Sequence, residues 1–361
     1  MNAGEALDLL SAGTERWYSA ARIVGHEGAR SGQVDRLEAV ARVVAATPPA
    51  AGADAARRRA LARLAWPLSF HGRAEVARRL LDDVLASMDE TPDPMVEAIV
   101  LGVKAHWAML AGDPELHLDL AERAVLEFVR AGDSRGASFA RTNLAFAQLG
   151  LGQHELAERQ LREAIASAER LGNMTVVVHS RSNLALALLG QARLTEARAE
   201  AIAALEGCTA GRDMRVEGAT RVYLATIEAR LGDLASAQRE ALFAIERLAT
   251  APPLLAYARA TLAGALLRQG RLVEARSTAA RAMDEIARHG AEEGAETIEL
   301  VWAETLDATG DRAAAAEAIG RARERLQVQA ARIRSEALRR SFLEAVPVHA
   351  RTMALAREWL G

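Results

Sequence analysis

Apolar positions along this chain recur at three- and four-residue intervals, and the pattern resets about every 40 residues. One unit shows how it works. Arg141-Thr142-Asn143-Leu144-Ala145 belongs to a first helix whose inward side carries Leu144 and Ala145. Gly152 closes that helix, and a second one follows with Ala157 five residues and Ala164 twelve residues after the glycine. Small residues at fixed places let the two helices press their backbones together. No stretch shows the strict alternation of a half-buried strand.

The frame repeats along the chain. The turn position falls at Gly72, Gly112, Gly152, Ala192, Gly232, Gly270 and Gly310, with gaps of 40, 40, 40, 40, 38 and 40 residues. Seven residues before each turn stands an alanine: Ala65, Ala105, Ala145, Ala185, Ala225, Ala263 and Ala303. Five residues after it stand Ala77, His117, Ala157, Ala197, Ala237, Ala275 and Ala315, so only His117 breaks that series. A fixed period of this length is the mark of a solenoid built from one supersecondary unit.

The strings Leu231-Gly232-Asp233-Leu234-Ala235-Ser236-Ala237 and Gln269-Gly270-Arg271-Leu272-Val273-Glu274-Ala275 resemble the helix-turn-helix signature of tetratricopeptide repeats (TPRs). The resemblance covers residues 55–326. It implies an all-α, TPR-like right-handed α-solenoid of about seven 40-residue repeats. The period exceeds the usual one of about 34 residues, so each helix pair is longer. The aromatic residue common early in the family's first helix is replaced by Arg141, Arg181, Arg221 and Arg259.

Outside the regular region, residues 4–24 read as a helix, and Val34–Val44 fills the second-helix slot of a degenerate repeat within residues 1–54. Pro48 and Pro49 mark a loop. After Gly310 a long helix is predicted from about Ala313 to Leu343, and Pro347 then opens a final helix ending at Trp359-Leu360. Residues 327–361 are expected to cap the solenoid. The string Leu338 to Pro347, with Leu355 to Leu360, is similar to the end of repeat regions in bacterial serine/threonine kinases and ATPase-linked signalling regulators. That similarity implies a sensing or partner-binding half whose catalytic domain lies elsewhere.

Composition adds four points. Half the residues are hydrophobic but only 4% are aromatic, which suits a core of Ala and Leu. Formal net charge is −3, which gives no reason to expect nucleic acid or an anionic membrane surface. Nearly all positive charge is arginine, since Lys104 is the only lysine. The single cysteine, Cys208, excludes an internal disulfide and fits a cytoplasmic protein. No leader and no membrane-spanning stretch is expected at the N-terminus or elsewhere.

Catalytic motifs are missing. There is no phosphate-binding loop, no kinase signature, no nucleophile elbow and no pair of histidines three or four apart on one helix. We therefore expect no catalytic, metal or cofactor site. Three constellations remain. Arg141, Arg181, Arg221 and Arg259 form a column that could bind an anion. They stand four residues before their alanines, about 40° round the helix, so the heads can instead pair with second-helix acids such as Glu200 or Glu240. Seven arginines between 321 and 340 make a basic face, better read as a solvated helix surface than as a nucleic-acid site, because no aromatics are interleaved.

The third constellation is the inner face of the first helices. Positions six before, three before and one after each alanine lie roughly 60–120° from it, around a groove face at roughly 80–100°. Large residues gather there: Trp66, Ile99, His106, Phe139, Phe146, His179, Leu186 and Tyr257. The family's carboxylate-clamping lysine and asparagine pattern is not matched there. The expected function is a non-enzymatic scaffold holding a peptide or partner domain in this groove, with self-association left open. The alternative is a regulatory half that takes a small effector.

Overall fold

The structure is a computed structural model that describes residues 7, 9–70, 72–88, 93–208, 213–249 and 251–361. Among them every regular element is helical, and the order follows the predicted pairing. The helices are α1 (Glu15–Arg30), α2 (Val34–Ala46), α3 (Asp54–Phe70), α4 (Ala74–Ala86), α5 (Pro94–Leu110), α6 (Pro114–Arg130), α7 (Ser134–Gly150), α8 (His154–Arg170) and α9 (Met174–Gly190). They continue with α10 (Leu194–Gly207), α11 (Met214–Leu231), α12 (Leu234–Arg247), α13 (Pro252–Arg268), α14 (Leu272–His289), α15 (Ala295–Ala308), α16 (Arg312–Arg332), α17 (Glu336–Glu344) and α18 (Pro347–Leu360). No helix among the described residues is long and apolar enough to cross a membrane.

The repeat frame explains the packing. All seven first-helix alanines from Ala65 to Ala303 are at most 3% exposed, and the second-helix alanines match them. Side chains this small let α-helices approach closely, which is why the core needs so few aromatics. The turns are left-handed. Gly152 (φ 75°) and Gly232 (φ 94°) adopt a backbone that only glycine takes without cost, and Ala192 (φ 59°) holds the same conformation in the fourth repeat.

The chain separates into two compact units, residues 1–111 with 116–140, and residues 112–115 with 141–361. In the first, α1 pairs with α2 and α3 with α4, while α1, α3 and α5 lie in one layer. Its N-terminal helix starts later than the expected residue 4. Thr14 accepts the Trp17 N–H and caps α1 at Glu15, after Gly13 turns left-handed (φ 82°). Residues 4–6 and 8 of the expected helix lie outside the described ones. In the second unit α9, α11, α13 and α15 form a layer of first helices, with α10, α12 and α14 behind them.

The expected continuous helix from 313 to 343 is broken. Ile333 is extended and fully buried, and the Ser335 side chain accepts the Leu338 N–H to cap α17 as a new helix. Burial of one branched apolar side chain and a hydroxyl cap outweigh helical continuity at that point. α18 then packs on α15 and α16 through Leu355, Ala356 and Trp359.

Candidate functional site

In the first unit, the predicted inner-face residues converge. Trp66 of α3 crosses α5 at Gly102, where an added Cβ would stand 2.2 Å from the indole ring. Beyond it the Trp66 ring meets Phe139 edge-on, with centroids 5.6 Å apart and planes at 71°. Gly102 is thus the recess that allows an aromatic pair to span two repeats, and both rings stay half-buried. Ile99 and His106 were expected to line this face, but the structure buries them, at 3% and 5% exposure. They support the platform without presenting themselves. Beside the platform, Arg63 reaches Asp133 at 3.0 Å and lies over the Phe128 ring.

In the second unit, the position three before each alanine is also closed rather than open. Thr142 and Ser180 share a hydrogen bond of 2.7 Å, and Ser182 and Thr220 one of 2.8 Å, all four residues being buried. These hydroxyl pairs join successive first helices and satisfy polar groups that the packing takes from water. The positions six before and one after remain half-buried: Phe146, His179, Leu186 and Tyr257 all fall in this class. Phe146→Ala should therefore cost about 1–2 kcal/mol in thermal unfolding, well under the roughly 3–5 kcal/mol of an enclosed phenylalanine. A loss in the latter range would place Phe146 in the core and remove it from the candidate surface.

The arginine column is already occupied. Arg181 meets Glu200 at 2.8 Å and Glu169 at 3.3 Å, and Arg221 meets Glu240 at 2.7 Å and Glu217 at 3.0 Å. Arg259 pairs with Glu285 at 2.8 Å, and Arg141 with Glu163 at 3.8 Å. Each of the four is thus matched by an acid on its own repeat's second helix. The column ties the two helices of a pair together, and its donors face carboxylates of the same chain.

Polar groups gather at the N-terminal ends of the second unit's first helices. His179 of α9 lies 3.4 Å from Asp213, the N-cap of α11. Burial raises the Asp213 carboxyl, but its hydrogen bond and charge attraction to His179 bring it below the usual carboxylate range. Arg215 pairs with Glu292, and the Tyr223 hydroxyl donates to Glu293 at 2.6 Å. Burial pushes the Glu293 carboxyl up to about 7, against the stabilising hydrogen bond from Tyr223 and the charge of Arg215. Burial, with Glu293 nearby, also raises the phenols of Tyr223 and Tyr257.

Among the described residues no three potential ligands cluster as a metal site would require. Sequence reasoning missed Arg215, Tyr223, Glu292 and Glu293. Tyr223 stands two residues before its alanine, just off the face that was read as open. Two consecutive glutamates between glycines, Gly290 to Gly294, set that joint apart from the others in the sequence.

No protein-family model matches the sequence, and no curated protein matches it either. Solved structures do. A Rap protein complexed with competence and sporulation factor matches at 12% identity with a TM-score of 0.65, covering 96% of this chain and 98% of that one. NprR in complex with its cognate peptide NprX matches at 10% identity and 0.62, covering 94% and 99%. A signal-transduction ATPase with a tetratricopeptide repeat sensor, from Pyrococcus horikoshii, matches at 14% and 0.58, over 96% of this chain and 53% of that one. The chain has a tetratricopeptide-like helical-repeat fold. Identities this low establish architecture, and the roles of individual residues rest on the geometry above.

Proposed function

We propose that this protein is a non-enzymatic scaffold that captures an extended peptide, or an extended segment of a partner protein, on the first-helix face. The Trp66–Phe139 pair seated over Gly102 carries the reading. Two half-buried aromatic rings held edge-on offer a rigid apolar seat at little entropic cost, the kind of anchor on which binding energy concentrates. The glycine beneath them keeps the indole in place before any ligand arrives, so less ordering is needed on binding. A fold shared along nearly the whole chain with Rap and NprR, each solved with a peptide factor bound, supports the same class of ligand. We place the protein in the cytoplasm, among regulators that read such ligands.

The test is selection of a random-sequence peptide display library on the purified full chain. Enriched peptides should share apolar side chains and lose tenfold or more in affinity on Trp66→Ala or Phe139→Ala, which is the loss expected of a desolvated anchor. No enrichment, or binding indifferent to both substitutions, would refute the reading.

A further inference from the structure

The joint between α14 and α15 reaches back through two adjacent acids, where the α6–α7 joint sends one, Asp133, to Arg63. At Gly172-Asn173 the connection is local, the Asn173 N–H closing on the Ala168 carbonyl. The segment Gly290-Ala291-Glu292-Glu293-Gly294 instead reaches back two repeats. Glu292 pairs with Arg215 and Glu293 accepts from Tyr223, both on α11. On the way the segment presses onto Tyr257 of α13, for a Cβ on Gly294 would stand 2.4 Å from that ring. The Glu292 side chain is only 11% exposed and that of Arg215 30%.

A joint that merely linked two helices would have no need of this. Desolvating carboxylates against a guanidinium is costly, and such pairs add little net stability over neutral packing. What they provide is a specific match of charge and shape. Arg215 supplies a forked donor set suited to a carboxylate, Tyr223 supplies one aligned hydroxyl, and Tyr257 supplies the floor. Asp213, two residues from Arg215, is paired with His179 and also attracts the Arg215 charge.

We propose that Arg215 and Tyr223, floored by Tyr257, form a receptor for two adjacent acidic side chains of a peptide, one paired with Arg215 and the other hydrogen-bonded by Tyr223, and that segment 290–294 is an internal ligand which such a peptide displaces. This deepens the scaffold reading and rests on it. It gives the scaffold an acidic class of ligand within the second unit and makes its capture competitive with the chain's own joint. An internal ligand on so short a tether acts at an effective concentration of about millimolar, so a weak external peptide gains access only when the tethered acids are removed.

The probe is a fluorescein-labelled, C-terminally amidated decapeptide with the sequence of Arg288–Thr297 of this chain. Fluorescence anisotropy measures its binding to the full-length protein. It should bind the Glu292→Gln/Glu293→Gln double variant at least tenfold more tightly than the parent. Adding Arg215→Ala should abolish that gain, and a peptide with Gln at both glutamates should not bind. Equal affinity for parent and double variant, or binding that survives Arg215→Ala, would overturn the proposal.

A second measurement does not depend on the double variant folding. Cleavage by a glutamate-specific endoprotease after Glu292 and Glu293, followed by mass spectrometry, should be at least tenfold faster in Tyr223→Phe than in the parent. That substitution keeps the ring and removes only the hydroxyl. Unchanged cleavage would show that these contacts do not hold the segment, and the internal-ligand reading would fall. If library peptides bind the parent and the decapeptide binds no variant, the scaffold stands and this subsite does not.

Discussion

Removal of residues 346–361 should lower the thermal midpoint markedly and turn a well-behaved protein into a self-associating one. α18 lays Leu355 and Ala356 against Leu300, Ala303, Leu306, Ala315, Ala318 and Ile319, with Val348 and Trp359 at the margin of the same cluster. Losing one buried leucine from such a place costs about 2–5 kcal/mol, and here a tryptophan and a valine go with it. The deletion also breaks the contact between Phe342 and His349, whose rings lie 4.3 Å apart and whose Nδ1 sits 2.7 Å from the Phe342 carbonyl. α17 then loses the support for its single buried side chain. A repeat stack without its terminal helix presents the apolar face that the next repeat would have covered, which favours association of copies. Thermal unfolding and light scattering at two concentrations check both effects. A truncated chain as heat-stable as the parent, and monomeric at both concentrations, would show that α18 is an accessory.

How much of this could be read from sequence follows from what each residue's position depends on. The alanine columns were legible because close helix contact is a local demand repeated seven times, and each repeat states it again. The pairing of Arg181 with Glu200 and Arg221 with Glu240 was legible for the same reason, since both partners belong to one repeat. The burial of Ile99 and His106 was not. A helical wheel assigns a residue to a face, but how far that face closes depends on the next repeat's first helix. The break at Ile333 depends on which surface receives the isoleucine, something that helix propensity in residues 313–343 does not encode. Least legible was the reach of Glu292 and Glu293 to α11. Their partners lie 77 and 70 residues away, nearly two repeats, and nothing in the local pattern shows a joint leaving its own repeat.

His117 and Glu293 should give the two units opposite responses to acid. His117 takes the place that alanine holds in the other six repeats, and burial lowers its imidazole to about 4. Its folded value lies below the unfolded value of about 6.5, so the fold prefers the neutral ring. The stability it contributes is complete above pH 6.5 and is lost as pH falls toward 4. Glu293 runs the other way. Its folded value of about 7 lies above the unfolded value of about 4.5, so the fold prefers the protonated acid. That contribution is complete below pH 4.5 and is lost as pH rises through 7, in a setting that also holds Arg215, Tyr223, Tyr257, Glu292 and Glu296. A shift of this size corresponds to about 3 kcal/mol for each group. Hydrogen exchange resolved by peptide, and corrected for the intrinsic pH dependence, separates the two effects. Between pH 6.5 and 4, opening around α6 should accelerate by about two orders of magnitude, while the start of α15 becomes more protected. His117→Ala, which restores the small residue of the repeat, should flatten the first response only, and Glu293→Gln the second only. Parallel pH profiles in both regions, or slopes that neither substitution changes, would show that other groups carry the acid response.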